Sequence, residues 1–167
     1  MMQSNAPLTA YRRLLDRFWQ TRLGSWIISH VAVHLDPLIM RATAGRLSSV
    51  SLFGHKVLIL TTIGAKSGQR RESTLLYVTD QERLILIASN FGGPRNPAWY
   101  HNLKANPEAE ILLHRYSGRY EAREAEGAER DKLWTMACET YSGYERYRER
   151  SHPRKIPVMI LEPLAQK

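Results

Sequence analysis

KVLILTTIGAKSGQRR, residues 56–71, is the stretch on which the reading of this chain turns. Residues 57–60 are Val, Leu, Ile and Leu, without the polar alternation of a half-exposed strand, so the pattern predicts a strand covered on both faces. The apolar run ends at a turn in which Gly64 and Gly68 flank Ala65, Lys66 and Ser67. Glycine at either end permits positive φ, which lets successive N–H groups face one point, and Lys66 adds a charge. Arg70 and Arg71 follow as a second strand begins, so three cations stand at one edge. A turn of this kind holds a phosphate or carboxylate; the same residues also make an ordinary solvated hairpin turn. It is not a Walker A loop, because the GxxxxGK[ST] spacing is absent and no helical pattern follows.

Working outward, strand patterns continue at residues 72–79 and, across Asp80, Gln81 and Glu82, at 83–89. A second pair is expected at 110–116 and 119–125 with Ser117 and Gly118 at the turn, and residues 156–162 supply a last apolar strand. Six short strands with hairpin connections predict a mainly β or α+β fold, a mostly antiparallel sheet curled into a small barrel with flanking helices. One helix is expected to open with Asn96 as N-cap and Pro97 in its first turn, run through 99–105 and stop at Asn106 and Pro107. Another covers 128–141, with Leu133, Trp134, Ala137 and Cys138 facing inward. Beyond it Tyr141, Tyr144 and Tyr147 recur every third residue among arginines, but Ser142 and Gly143 argue against a regular helix. Tyrosines so spaced either pack ordinarily or wall a pocket for a flat anionic ring.

A chain of 167 residues fits one structural domain, read as an N-terminal helical extension and loop over 1–55 followed by a barrel over 56–167. Leu14, Leu15, Phe18 and Trp19 oppose Arg12, Arg13, Asp16 and Arg17 on an amphipathic basic helix that packs on its own domain or lies on an anionic membrane. Residues 26–40 are apolar but broken by His30, His34, Asp36 and Pro37 well short of a membrane-spanning length. His30 and His34 lack the glutamate of an HExxH site and a third ligand, so no metal is expected. Lysine and arginine number 24 against 16 acids, a net charge of +8 that favours an anionic partner. With Cys138 the only cysteine, an intramolecular disulfide and a cysteine-rich zinc site are excluded. That usage, with no secretory h-region visible, fits an expected location in the reducing cytoplasm, with the inner face of the membrane within reach of the basic helix. No GxSxG elbow or nucleophilic triad is present.

Four segments together resemble a known family: TTIGAKSGQRR (61–71), IASNFGGPRNPAWYHNLKANPEAEI (87–111), YSGYERYRER (141–150) and IPVMILEP (156–163). They resemble the deazaflavin-dependent nitroreductases, split-barrel oxidoreductases that use coenzyme F420, whose 8-hydroxy-5-deazaflavin ring carries a phosphate and a polyglutamate tail. The resemblance implies that Lys66, Ser67 and Arg71 hold the phosphate side and that Glu72, Ser73, Thr74, Leu75 and Leu76 continue along the cofactor. It implies further that Ile87, Ala88, Ser89 and Asn90 lie beside the ring, and that Ala98, Trp99, Tyr100, His101 and Asn102 form the helix start that closes over it. Tyr144 would close the pocket, with Tyr141 and Tyr147 as neighbours on the substrate side and Ser89 or Tyr144 bonding the acceptor oxygen. Ala65, Thr74 and Asn90 depart from the family's usual arginine, proline and lysine, and Arg70 and Arg95 are expected to restore some charge. The implied activity is an F420H2-dependent reductase passing hydride to a quinone, an activated alkene or a nitroaromatic small molecule. Two alternatives are an FMN-loaded barrel and a basic module that stacks single-stranded nucleic acid on Trp99, Tyr100 and the tyrosine series.

Overall fold

Leu58, Ile59 and Leu60 are all essentially solvent-free, as a strand covered on both faces requires. The computed structural model describes residues 56–113 and 116–164. Along the chain these form β1 (Val57–Ile63), β2 (Arg70–Leu76), β3 (Val78–Asp80), β4 (Arg83–Ile87), a single 3-10 turn (Asn90–Gly92), α1 (Ala98–Ala105), β5 (Glu108–Leu113), β6 (Tyr116–Glu124), α2 (Gly127–Thr140), α3 (Gly143–Ser151) and β7 (Val158–Pro163). The expected N-terminal extension, including the amphipathic helix, the 26–40 stretch and the His30/His34 pair, lies outside the described residues. Among the described residues, no helix is long and apolar enough to cross a membrane, and no cluster of metal-ligating side chains occurs.

The seven strands form one sheet in the order β2-β1-β5-β6-β7-β4-β3, and every neighbouring pair is antiparallel. β2 and β3 occupy opposite edges, yet Tyr77 alone separates them in sequence. In a flat sheet those edges would stand roughly 29 Å apart, six inter-strand spacings. One residue spans at most about 3.6 Å, so the sheet must curl until its edges meet. This also explains why seven strands stand where six were expected. Residues 72–79 read as one strand, but the first part pairs with β1 and the second with β4, and the chain breaks register at Tyr77.

Two cores result. Leu84 and Leu86 of β4 point into the barrel with Leu58, Leu60, Ile111, Met159 and Leu161, and Trp99 and Leu103 of α1 plug it. The alternate residues Ile85 and Ile87 face outward with Val158 and Ile160, where Leu133, Trp134 and Ala137 of α2 and Tyr144 and Tyr147 of α3 cover them. Strands β4 and β7 are therefore buried on both faces, and their unbroken apolar runs follow from that.

Three local expectations are corrected. Ser117 and Gly118 do not make a turn; they lie within β6, paired with Leu112 and Ile111. A Cβ at position 118 would stand 2.8 Å from the hydroxyl of the exposed Tyr116, whose ring lies over the glycine and would swing aside for a larger residue. A regular helix does follow Ser142, since Gly143 leaves room for the Tyr141 ring to fold back over the first turn of α3. Asn96 does not cap α1, whose N-cap is Pro97; its side chain accepts a hydrogen bond from Arg154 instead. Cys138 is half-buried, and its thiol donates to Glu145 Oε1 at 3.1 Å. Burial first, and then that carboxylate, push the thiol up to about 12, so it stays protonated and inert.

Glu129 of α2 ties the helix to two strands. It accepts from Arg123 Nη1 and Nη2 at 2.7 and 2.9 Å and from Arg83 Nη1 at 2.9 Å. The Arg123 hydrogen bonds, and next in strength the one from Arg83, bring the carboxyl down to about 2 from an ordinary 4.5. A carboxyl lowered on folding stabilises the native state above its unfolded value and ceases to do so as pH falls through its folded value. The urea midpoint of the wild type is therefore expected to fall more steeply between pH 4.5 and 2 than that of Glu129→Gln, the two curves converging near pH 2. Parallel curves would remove Glu129 from the acid transition.

Candidate functional site

The hairpin between β1 and β2 spans residues 64–69 and is closed by two backbone hydrogen bonds, Gly64 N–H to Gln69 O and Gly68 N–H to Gly64 O, both 2.8 Å. Only Gly68 has positive φ, at 65°. Gly64 is required for space instead, because a Cβ there would meet Ser67 Oγ at 2.6 Å and Gln69 O at 3.3 Å, with Arg71 Cγ close behind. The turn thus folds Ser67 and Arg71 around Gly64. Ser67 Oγ accepts from Gln69 N–H at 3.3 Å. With Ala65 N–H taken by a helix residue, Asn102, the N–H groups of Lys66 and Ser67 are those of the turn without a partner among the described residues.

A buried residue of α1 holds the turn in place. Asn102 Oδ1 accepts from Ala65 N–H at 3.0 Å, and Asn102 Nδ2 donates to Thr62 Oγ1 at 3.0 Å. Both ends of this amide, in a residue only 8 % exposed, are committed to the turn and its strand. Nothing in the sequence around Asn102 signals that bridge, since its partners lie 37 and 40 residues away.

The three cations differ. Arg70 is bound to Glu110 through both carboxylate oxygens, at 3.0 and 2.5 Å, so it does not restore free charge to the turn. Lys66 is exposed and has no ion-pair partner among the described residues. Arg71 is also exposed; it touches Gln69 Oε1 at 3.0 Å and likewise meets no carboxylate among the described residues. Two uncompensated cations beside unused N–H groups suit a phosphate or carboxylate group.

Along β2 the side chains alternate. Ser73 and Leu75 stand opposite Leu60 and Leu58 on the barrel side, whereas Glu72, Thr74 and Leu76 stand opposite Thr61, Ile59 and Val57 on the other face. One ligand surface cannot use all five side chains. Thr74 Oγ1 is buried and has no hydrogen-bond partner among the described residues.

At the end of β4, Ile87 belongs to the outer core and Ala88 to the inner one, leaving Ser89, half-buried, and Asn90, exposed, at the surface. Asn90, Phe91 and Gly92 then have φ of 47°, 55° and 76° in succession. Asn90 Nδ2 donates to Arg95 O at 2.9 Å across this left-handed turn. In α1, Trp99 is part of the barrel core, and Tyr100 donates to Glu124 Oε2 at 2.9 Å. Burial and then Glu124 push the Tyr100 hydroxyl up to about 12. Ala98 and His101 are exposed, His101 edge-on to Tyr100.

The tyrosines pack on one another. Tyr141, Tyr144 and Tyr147 make three mutual ring contacts with centroids 5.2 to 6.3 Å apart, and the hydroxyls of Tyr141 and Tyr147 lie 3.2 Å from each other. Tyr144 and Tyr147 are 5 % and 3 % exposed and form part of the outer core; Tyr141 is half-buried. Burial raises the Tyr144 hydroxyl far above its ordinary range, with Tyr147 adding to it. It is a neutral donor and not a phenolate. Glu145, one residue on, anchors this helix to α2 by accepting from Trp134 Nε1 at 3.1 Å.

The curled antiparallel barrel with its braced cationic turn at one rim is the frame of the F420-dependent split-barrel reductases, the class to which the comparisons assign it. Residues 35–163 match the family model described as F420H(2)-dependent quinone reductase. The chain is 36 % identical over 151 residues to an F420H(2)-dependent quinone reductase of Mycobacterium tuberculosis, covering 83 % of this chain and 97 % of that one. A solved F420-H2 dependent reductase, FDR-A, is 38 % identical with a TM-score of 0.60, over 64 % of this chain and 94 % of its own. A second solved structure, described as a domain-swapped dimer, is 32 % identical with a TM-score of 0.62, over 82 % and 97 %. The chain belongs to the F420H(2)-dependent quinone reductase family. It is an F420H2-dependent reductase with coenzyme F420 as its cofactor, and the cations of the turn fit the anionic end of that molecule. Membership favours this coenzyme over FMN and over nucleic acid.

Removing the Asn102 amide leaves the Ala65 N–H and the Thr62 hydroxyl without their partner. Asn102→Ala is expected to lower stability by about 1 to 3 kcal/mol in urea denaturation. Asn102→Asp, which keeps the acceptor for Ala65, should fall between it and the wild type. A loss of only a few tenths for Asn102→Ala would mean that the turn needs no brace.

Proposed function

We propose that this reductase passes hydride to a quinone, with activated alkenes and nitroaromatic compounds as acceptors of the same electronic kind. The observation that carries this reading is the pair Lys66 and Arg71, exposed and without carboxylate partners among the described residues on a turn braced by Asn102. Lys66, Ser67 and Arg71 bind the phosphate side of the coenzyme, and the strand end at Ser89 and Asn90 flanks its ring. The bound reduced coenzyme supplies the hydride, and few reacting side chains are then needed. The Ser89 hydroxyl or the Tyr144 phenol bonds the acceptor oxygen, with Tyr141 and Tyr147 as neighbours on the substrate side. A hydride and one proton together convert a quinone to its quinol. The proton comes from Tyr144, held neutral by burial, or from solvent.

A lipid-soluble quinone suits a protein that works in the cytoplasm and touches the inner face of the membrane through the basic helix read in residues 12–19. Sedimentation with anionic liposomes of the full chain and of a version lacking the first forty or so residues tests this. The full chain is expected in the pellet and the shortened one in the supernatant; equal partitioning would remove the helix as an anchor.

Parallel fluorescence titrations with coenzyme F420 and FMN, followed by turnover of the reduced coenzyme with a quinone panel, test the main reading. Binding of F420 but not FMN is expected. For Lys66→Ala the expected loss in coenzyme affinity is roughly ten- to hundredfold, about 1.5 to 3 kcal/mol for one charge-assisted contact. Unchanged affinity would refute the role given to this lysine.

A further inference from the structure

Arg154 lies in a basic run that reads in sequence as a solvated surface, yet its guanidinium is turned inward. Nε donates to Gly93 O at 3.1 Å, Nη1 to Ala88 O at 3.3 Å and to Asn96 Oδ1 at 2.6 Å, and Nη2 to Ser89 O at 2.7 Å. Two of the four acceptors precede the left-handed turn 90–92 and two follow it. No carboxylate pairs with Arg154 among the described residues, and burial lowers its proton affinity. A half-buried guanidinium satisfied only by neutral oxygens has no ion pair to offset its burial, so what keeps it there is geometry.

The base of the side chain is equally fixed. Arg154 N–H donates to Ser151 O at 2.8 Å, and the buried Ser151 hydroxyl bonds Arg148 O at 3.0 Å and Arg154 O at 3.1 Å, which roots the residue on the last turn of α3. From the other side the turn presses on the same helix. A Cβ at Gly92 would stand 3.0 Å from Tyr147 O and 2.8 Å from Arg150 Cβ, and Phe91 meets the Tyr147 ring edge-on at 6.1 Å. Three consecutive residues at positive φ, one of them phenylalanine, do not persist without external restraint.

We propose that Arg154 is a positioning residue whose fork locks the turn 90–92 to the end of α3. It thereby holds Ser89 and the tyrosine helix at the separation across which coenzyme ring and acceptor meet. This rests on the placement of ring and acceptor given under the proposed function; the locking of the turn does not. Because the coenzyme's anionic end is gripped elsewhere, at Lys66, loss of the fork should impair turnover far more than coenzyme binding.

The test uses the full-length protein with Arg154→Ala, Arg154→Lys and Asn96→Ala, the last removing one of the four acceptors and serving if Arg154→Ala does not fold. Hydrogen exchange without coenzyme is expected to speed up about tenfold or more in residues 88–96 of both Arg154 variants, and less in Asn96→Ala, while β1, β5 and β6 exchange as in the wild type. With coenzyme and a quinone, kcat should fall about tenfold or more, as for a small misplacement of reacting groups, while the F420 dissociation constant should rise by less than about threefold. Lysine keeps the charge but not the fork, so it should not restore kcat, whereas added guanidinium should partly restore Arg154→Ala. Unchanged exchange in 88–96, or full activity in Arg154→Lys, would overturn the proposal. A wild type that binds no F420 would instead overturn the assignment of the site, with the exchange result still deciding whether the turn is locked.

Discussion

The link between β2 and β3 is one residue long, and that single distance governs the architecture. Because the chain passes at Tyr77 from one edge of a seven-stranded sheet to the other, the edges must meet, and a flat or merely twisted sheet is not available. Curling gives β4 and β7 an inside, filled by leucines and plugged by Trp99, and an outside that α2 and α3 must cover. The apolar side chains on both faces of these strands supply most of the drive for that arrangement, at about 25 cal/mol for each Å² removed from water.

Where helices meet the barrel, single polar side chains fix the joints. Asn102 joins α1 to the hairpin, Arg154 joins α3 to the loop after β4, Glu129 joins α2 to β4 and β6, and Glu145 joins α3 to α2. Each lies at a boundary where apolar packing alone would tolerate sliding. A partly buried hydrogen bond is worth little in net energy but much when broken, and so it discriminates between registers. Two of these joints, Asn102 and Arg154, stand directly behind the elements that the resemblance assigns to the cofactor.

Charge at the site is set by what the neighbours neutralise. Three cations follow one another closely in sequence, but Glu110 of β5 claims Arg70 of β2 across the intervening β1, leaving Lys66 and Arg71 to face outward. The +8 of the whole chain is a weak guide to binding. The pairing pattern of β1 with β5 is what decides which cations remain available.

Much of this was legible from residue order. The unbroken apolar run of residues 57–60 announced a strand buried on both faces, the 3.6-residue spacing of Leu133, Trp134 and Ala137 announced α2, and Gly64 and Gly68 announced the turn after β1, because these signals involve neighbours within a few residues. The break at Tyr77, the placement of Ser117 and Gly118 inside β6, the helix after Gly143 and the burial of Tyr144 were decided only in three dimensions. In each case the deciding partner is remote or defined by shape: β4 for the first, the pairing with β5 for the second, the folded-back Tyr141 for the third, the outer face of β4 and β7 for the last. Asn96 and Arg154 show the limit most plainly. One reads as a helix cap and the other as surface charge, yet they bond each other across 58 residues, a pairing that no local pattern encodes.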